Sequence, residues 1–223
     1  MNMKRFVTIA LLLAGAYAIA QNPTTTWPYL YDNFMPGVIY LQGGAKSEVM
    51  MNVHLRHDQL HFIDNDLVKQ ADLSNTLIVS IGADSFIPAG GELRKIVAQD
   101  DNGVVAVSLI GDFAASQETG GAYGASSESA STRKLSSYDA NGQVNRNHML
   151  LLQEKENGAD LNIITTYYLI RSGDCVKATR KDVSASLSEE GQAAFKAWLK
   201  QNKIKWKDPQ SLLKVVGFLS ENK

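Results

Sequence analysis

Residues with the chemistry to bind or catalyse are few in this chain, and the histidines among them are gathered. His54, His57 and His61 lie close together, while the fourth histidine, His148, stands far downstream. Residues 49–55 and 60–64 read as strands around the polar segment 56–59, which has the length of a hairpin connection. Symmetric closure of that hairpin sets Leu55 opposite Leu60 and His54 opposite His61. Both imidazoles then share a face with Asn52, and Val53, Leu55, Leu60 and Phe62 share the opposite, core-facing side. Two cross-strand imidazoles can hold a transition metal, but a zinc site takes three or four ligands. His148 is the available third ligand, because it opens the apolar run 148–155 and that run reads as a strand. Without a third ligand the pair is a polar, solvent-facing patch on a half-exposed sheet.

Nucleophilic chemistry has less support. The chain has no G-x-S-x-G elbow. Two S-x-x-K matches, Ser131-Thr132-Arg133-Lys134 and Ser211-Leu212-Leu213-Lys214, fall in a Ser-rich stretch and in an ordinary amphipathic helix. The single cysteine, Cys175, excludes an internal disulfide and reads as a packing residue in a short strand. Asp64, Asp66, Asp100, Asp101, Glu189 and Glu190 stand at turns or helix starts, where acidic residues have structural work. Gly120-Gly121-Ala122-Tyr123-Gly124 has the glycines of a phosphate loop without its lysine. Tyr123 is a candidate ligand-contacting ring there, and equally a plug pinning the segment to a sheet. Lys196, Lys200, Lys203 and Lys207 repeat at helical spacing opposite Phe195, Trp198 and Leu199. They form a solvated face, with contact to an anionic surface or acidic partner as the alternative.

The elements that must position these groups are mainly β. Residues 38–42, 77–81, 92–98, 104–109 and 162–170 are short, rich in β-branched or aromatic residues, and separated by turn residues. Asp101-Asn102-Gly103 is the clearest hairpin signal, since Asn and Gly accept positive φ. Residues 111–147 form a Gly/Ser-rich loop, and residues 21–35 form an aromatic lead-in whose rings cover an edge of the core. The C-terminus turns helical. Ser188 caps a helix reaching about Asn202, and Asp208-Pro209 starts another with Leu212, Leu213, Val216 and Leu219 on its buried face. The expected fold is α+β: an antiparallel β meander over 36–180, sandwich or barrel-like, closed by a helical pair over 181–223.

Residues 1–20 have the form of a secretory signal peptide: Lys4 and Arg5, an apolar run from Phe6 to Ala16, then Ala18-Ile19-Ala20 before Gln21. That run is too short to span a membrane, which takes about 20 residues. With a formal net charge of −1, the chain is not a natural partner for nucleic acid.

Trp27-Pro28-Tyr29-Leu30-Tyr31 with Phe34 and Pro36-Gly37, Ile81-Gly82 with Phe86, Gly121-Ala122-Tyr123-Gly124, and residues 199–206 together resemble uncharacterised exported proteins of Bacteroidetes-type bacteria. The resemblance implies a two-membrane envelope and a periplasmic, outer-membrane-associated or secreted home, and it supplies no activity. The expected function is a non-catalytic binding or structural module of that envelope, with an envelope component or protein as partner. One alternative is a zinc-binding protein or metal-dependent hydrolase using His54 and His61. Another is an assembly partner docking through 111–147 or the basic helix.

Overall fold

The computed structural model describes residues 24–113, 146–155 and 160–222. Residues 1–20, Tyr123 and most of the Gly/Ser-rich stretch lie outside the described residues. The described strands are β1 (Thr24–Thr25), β2 (Met35–Leu41), β3 (Lys46–His54), β4 (Gln59–Asp64), β5 (Leu67–Gln70), β6 (Thr76–Ile81), β7 (Asp84–Ala89), β8 (Glu92–Asp100), β9 (Gly103–Gly111), β10 (Arg146–Asn147), β11 (Leu161–Arg171) and β12 (Asp174–Lys177). They form one antiparallel sheet in the order β1-β11-β9-β8-β7-β6-β2-β3-β4-β5-β10, with β12 also paired to β11. The helices are α1 (His148–Lys155), α2 (Arg180–Ala185), α3 (Glu189–Gln201) and α4 (Pro209–Glu221). The fold is therefore α+β, a mainly antiparallel meander with a helical C-terminus.

Local backbone chemistry fixes much of this register. Three two-residue hairpin turns place both central residues at positive φ: Asn65-Asp66 between β4 and β5, Gly90-Gly91 between β7 and β8, and Ser172-Gly173 between β11 and β12. That is the type I′ pattern, whose twist matches the right-handed twist of the strands it joins.

The sheet folds back on itself through the β3–β4 hairpin. β8 and β9 are paired from Asp100 and Gly103 as far as Lys95 and Val107 and then diverge. The hairpin tip enters that fork. The amide of Leu93 donates to the Asp58 carbonyl at 3.1 Å, that of Gly111 to the Leu55 carbonyl at 2.8 Å, and that of Leu109 to Asp58 Oδ1 at 3.1 Å. Asp58 holds φ +46°, a left-handed conformation that Asp accepts more readily than most residues.

Packing divides the interior into clusters. Ile39, Met51, Val53, Leu60, Val79, Ile81, Phe86 and Leu93 fill the region enclosed by β2–β8. The helices bury Val183, Phe195, Leu212, Val215, Val216 and Phe218 against Ala98, Val105 and Leu169. Ser188 and Asp208 cap α3 and α4 through their side chains, as the sequence predicts, and α2 is an additional turn of helix capped by Thr179. Lys196 and Lys200 lie exposed on α3.

Two expectations need correction. Residues 148–155 are helical, because the Asn147 side chain accepts the amides of Met149 at 2.9 Å and Leu150 at 3.3 Å and starts α1. The β3–β4 register pairs Val53 with Leu60, Asn52 with His61 and His54 with Gln59, so the two histidines are diagonal neighbours. They still share one face with Asn52, as the two-residue period requires.

Candidate functional site

The histidine face is not open to solvent. His54 and His61 are only 7% and 6% exposed, because residues 27–34 fold over them. This N-terminal strap runs beside β3: the amide of Leu30 donates to the Val53 carbonyl at 2.9 Å, and that of Leu55 to the Pro28 carbonyl at 2.8 Å. Asn52 locks it, accepting from the Tyr31 amide and donating to the Tyr31 and Asn33 carbonyls. The Tyr29 ring meets His54 edge-on at 5.1 Å, and its hydroxyl shares a 2.8 Å hydrogen bond with His61 Nδ1. The imidazole centroids are 5.0 Å apart. Expecting a solvent-facing pair fails because the aromatic lead-in covers this face of the sheet and not merely an edge.

Burial makes both rings poor bases. It lowers His54 from 6.5 to about 3, aided by the positive charges of His61, His57 and Arg56, and it lowers His61 to about 4. His148 sits on α1 against Phe34, with centroids 5.2 Å apart, and burial lowers its pKa as well. Its Nε2 is buried without a hydrogen-bond partner among the described residues. Among the described residues, no three His, Cys, Asp or Glu side chains come together to hold a metal ion. A zinc site needs such a set.

A second feature lies where the hairpin tip meets the sheet. An open cleft of about 810 Å³ separates residues 57–60 and 70–74 from the β7–β8 turn at residues 88–92. Gln59, Gln70 and Ser74 bring neutral hydrogen-bonding groups to it, while Asp72 and Glu92 bring carboxylates and His57 an imidazole. Among the described residues, no lysine or arginine lines it. Gly90 and Gly91 form part of one wall, where φ values of +64° and +82° demand glycine-like freedom. That wall is braced from behind by Arg94, which is 4% exposed. Its Nε donates to the Ala89 carbonyl at 3.2 Å, its Nη2 pairs with Glu92 Oε2 at 3.0 Å, and its guanidinium lies 3.6 Å from the Tyr168 ring centroid.

Asp58 forms the floor. Its Oδ2 accepts from the Ser108 hydroxyl and its Oδ1 from the Leu109 amide. Burial nevertheless dominates and raises its pKa from 3.8 to about 6. Neither Asp58 nor Arg94 stands out in the sequence. One sits in a polar segment typical of an exposed turn, and the other is a single arginine in a strand. Cys175 lies on β12, half-buried, and burial raises its thiol pKa while Arg94 opposes the rise.

No protein-family model, curated protein or solved structure matches the chain.

Proposed function

We propose that this chain is an exported, non-catalytic binding module of a bacterial envelope, working in the periplasm, at the outer membrane or outside the cell. Its ligand is a neutral-polar or cationic group taken up by the cleft beneath the β7–β8 turn. The observation carrying this reading is the composition of that cleft: amide, hydroxyl and carboxylate side chains converge there, with no lysine or arginine among the described residues that line it. Such a lining offers hydrogen bonds to polar ligands and repels anions. The glycine turn and the buried Arg94 hold one wall in place before any ligand arrives, which limits the ordering cost of binding. The export segment read at residues 1–20 supplies the location. No helix among the described residues is long and apolar enough to cross a membrane.

Melting curves in the presence of neutral oligosaccharides, short peptides and polyamines test the reading against Ala71→Trp, which places a large ring in the cleft. A ligand at 100 times its dissociation constant stabilises by about 2.7 kcal/mol. The expected outcome is a melting-point rise in the wild type that disappears in Ala71→Trp. The reading is wrong if no class shifts the wild type, or if the filled variant shifts equally.

A further inference from the structure

The N-terminal strap covers two adjacent imidazoles, and among the described residues no negative charge acts on either, which points to more than passive packing. We propose that residues 24–34 are an acid-releasable latch, which protonation of the His54–His61 pair detaches from the sheet while the remaining β structure stays folded.

The geometry carries the argument. Each ring is more than nine-tenths buried, between the β3–β4 face below and Tyr29 above. The other charges acting on His54 are cationic, Arg56 and His57 on the hairpin tip and His61 itself. From α1, Lys155 lies 4.8 Å from the Trp27 ring centroid and pairs with Asp32 of the strap at 3.4 Å. His148, also on α1, faces Phe34, and Asp66 acts on His148. The remaining titratable group of the strap, Tyr31, reaches the other way to Asp84 at 2.7 Å. A proton added to either ring therefore enters an apolar enclosure beside a second imidazole. Opening the strap returns both rings to water, where they regain their ordinary basicity.

The strap can leave because its large rings pack largely apart from the main cores. Trp27, Tyr29 and Phe34 form one cluster with Val68 and Leu151. Only the partly buried Leu30 and Tyr31 touch the β2–β8 core, and only the two-residue β1 pairs with β11. Segments with separate clusters open below the global unfolding energy.

Closed-state pKa values of about 3 and 4, against 6.5 when open, set the size of the effect. Each histidine multiplies the open-to-closed ratio by roughly 20 to 25 between pH 7 and pH 5, and the pair by roughly 500.

Hydrogen exchange resolved on peptides, corrected for the intrinsic pH dependence of exchange, tests this on the purified protein. The expected result is a rise of several hundredfold in opening of residues 24–34 from pH 7 to pH 5, while β9 and β11 stay protected. His61→Gln is expected to cut that rise to roughly 25-fold, since one proton then remains. Tyr29→Phe, which keeps both imidazoles, is expected to open more at pH 7 and to retain the pH dependence. The proposal is overturned if strap and central strands lose protection together, if strap opening ignores pH, or if His61→Gln keeps the full dependence.

Discussion

Asp58 shows how one side chain can serve two elements at once. Its carboxylate replaces ladder hydrogen bonds where β8 and β9 part, and its backbone turns the β3–β4 hairpin at positive φ. Removing the carboxylate leaves the Leu109 amide without its acceptor, at a cost of about 1–3 kcal/mol. Placing a Cβ-bearing residue without a polar side chain at this φ adds about 1 kcal/mol or more. Asp58→Ala is therefore expected to lose about 2–4 kcal/mol in urea unfolding; a loss below about 1 kcal/mol would show that the fork closes without it. The histidine pair teaches the complementary lesson. The shared face of His54, His61 and Asn52 was legible because strand side chains alternate strictly. The burial of that face was not, because it depends on where the aromatic strap docks.

At the scale of elements, an aromatic cluster joins α3 to α4. Phe195 is 1% exposed, with Trp198 and Phe218 centroids at 6.0 and 5.2 Å. Phe195→Ala is expected to cost about 3–5 kcal/mol, as other core aromatic truncations do. Lys196→Ala, one residue along on the exposed face, is expected to stay within about 0.5 kcal/mol. Thermal or urea unfolding of the two variants checks the pair, and equal effects would mean that α3 is not docked as described. These helices were readable because Ser188 and Asp208-Pro209 are strong start signals. α1 was misread as a strand because the run Met149-Leu150-Leu151-Leu152 fits either period, and only Asn147 marks it as a helix start. β7 carries no clear strand signal in the sequence, since Pro88 and the neighbouring turns obscure a strand whose partners lie on both sides.

For the whole molecule, the sign of the pH response follows chiefly from the buried His54, His61 and Asp58, with His148 shifted in the same direction as the other two histidines. His54 and His61 have folded pKa values below 6.5, so their contribution is present above that value and is lost as pH falls toward 4 and 3. Two such groups remove roughly 3–4 kcal/mol between pH 7 and pH 5. Asp58 works in the opposite direction. Its folded pKa of about 6 exceeds its unfolded value of 3.8, so acidification relieves a penalty and returns about 1 kcal/mol across the same range. The histidines win, and global stability is expected to fall by about 2–3 kcal/mol from pH 7 to pH 5. Urea midpoints at the two pH values measure this; a protein equally stable at both would mean that the imidazoles are not buried as neutral groups.

The sequence by itself determined the fold class, most of the hairpins, both capped helices and the face on which the histidines sit. These follow from φ preferences, side-chain alternation and capping, which act over a few residues. Only the tertiary structure decided that the strap buries that face, that Asp58 wedges a fork between β8 and β9, and that Arg94 braces a cleft. Each of these joins segments tens of residues apart, and no local period or turn signal encodes which distant surface a polar turn or an aromatic ring will meet.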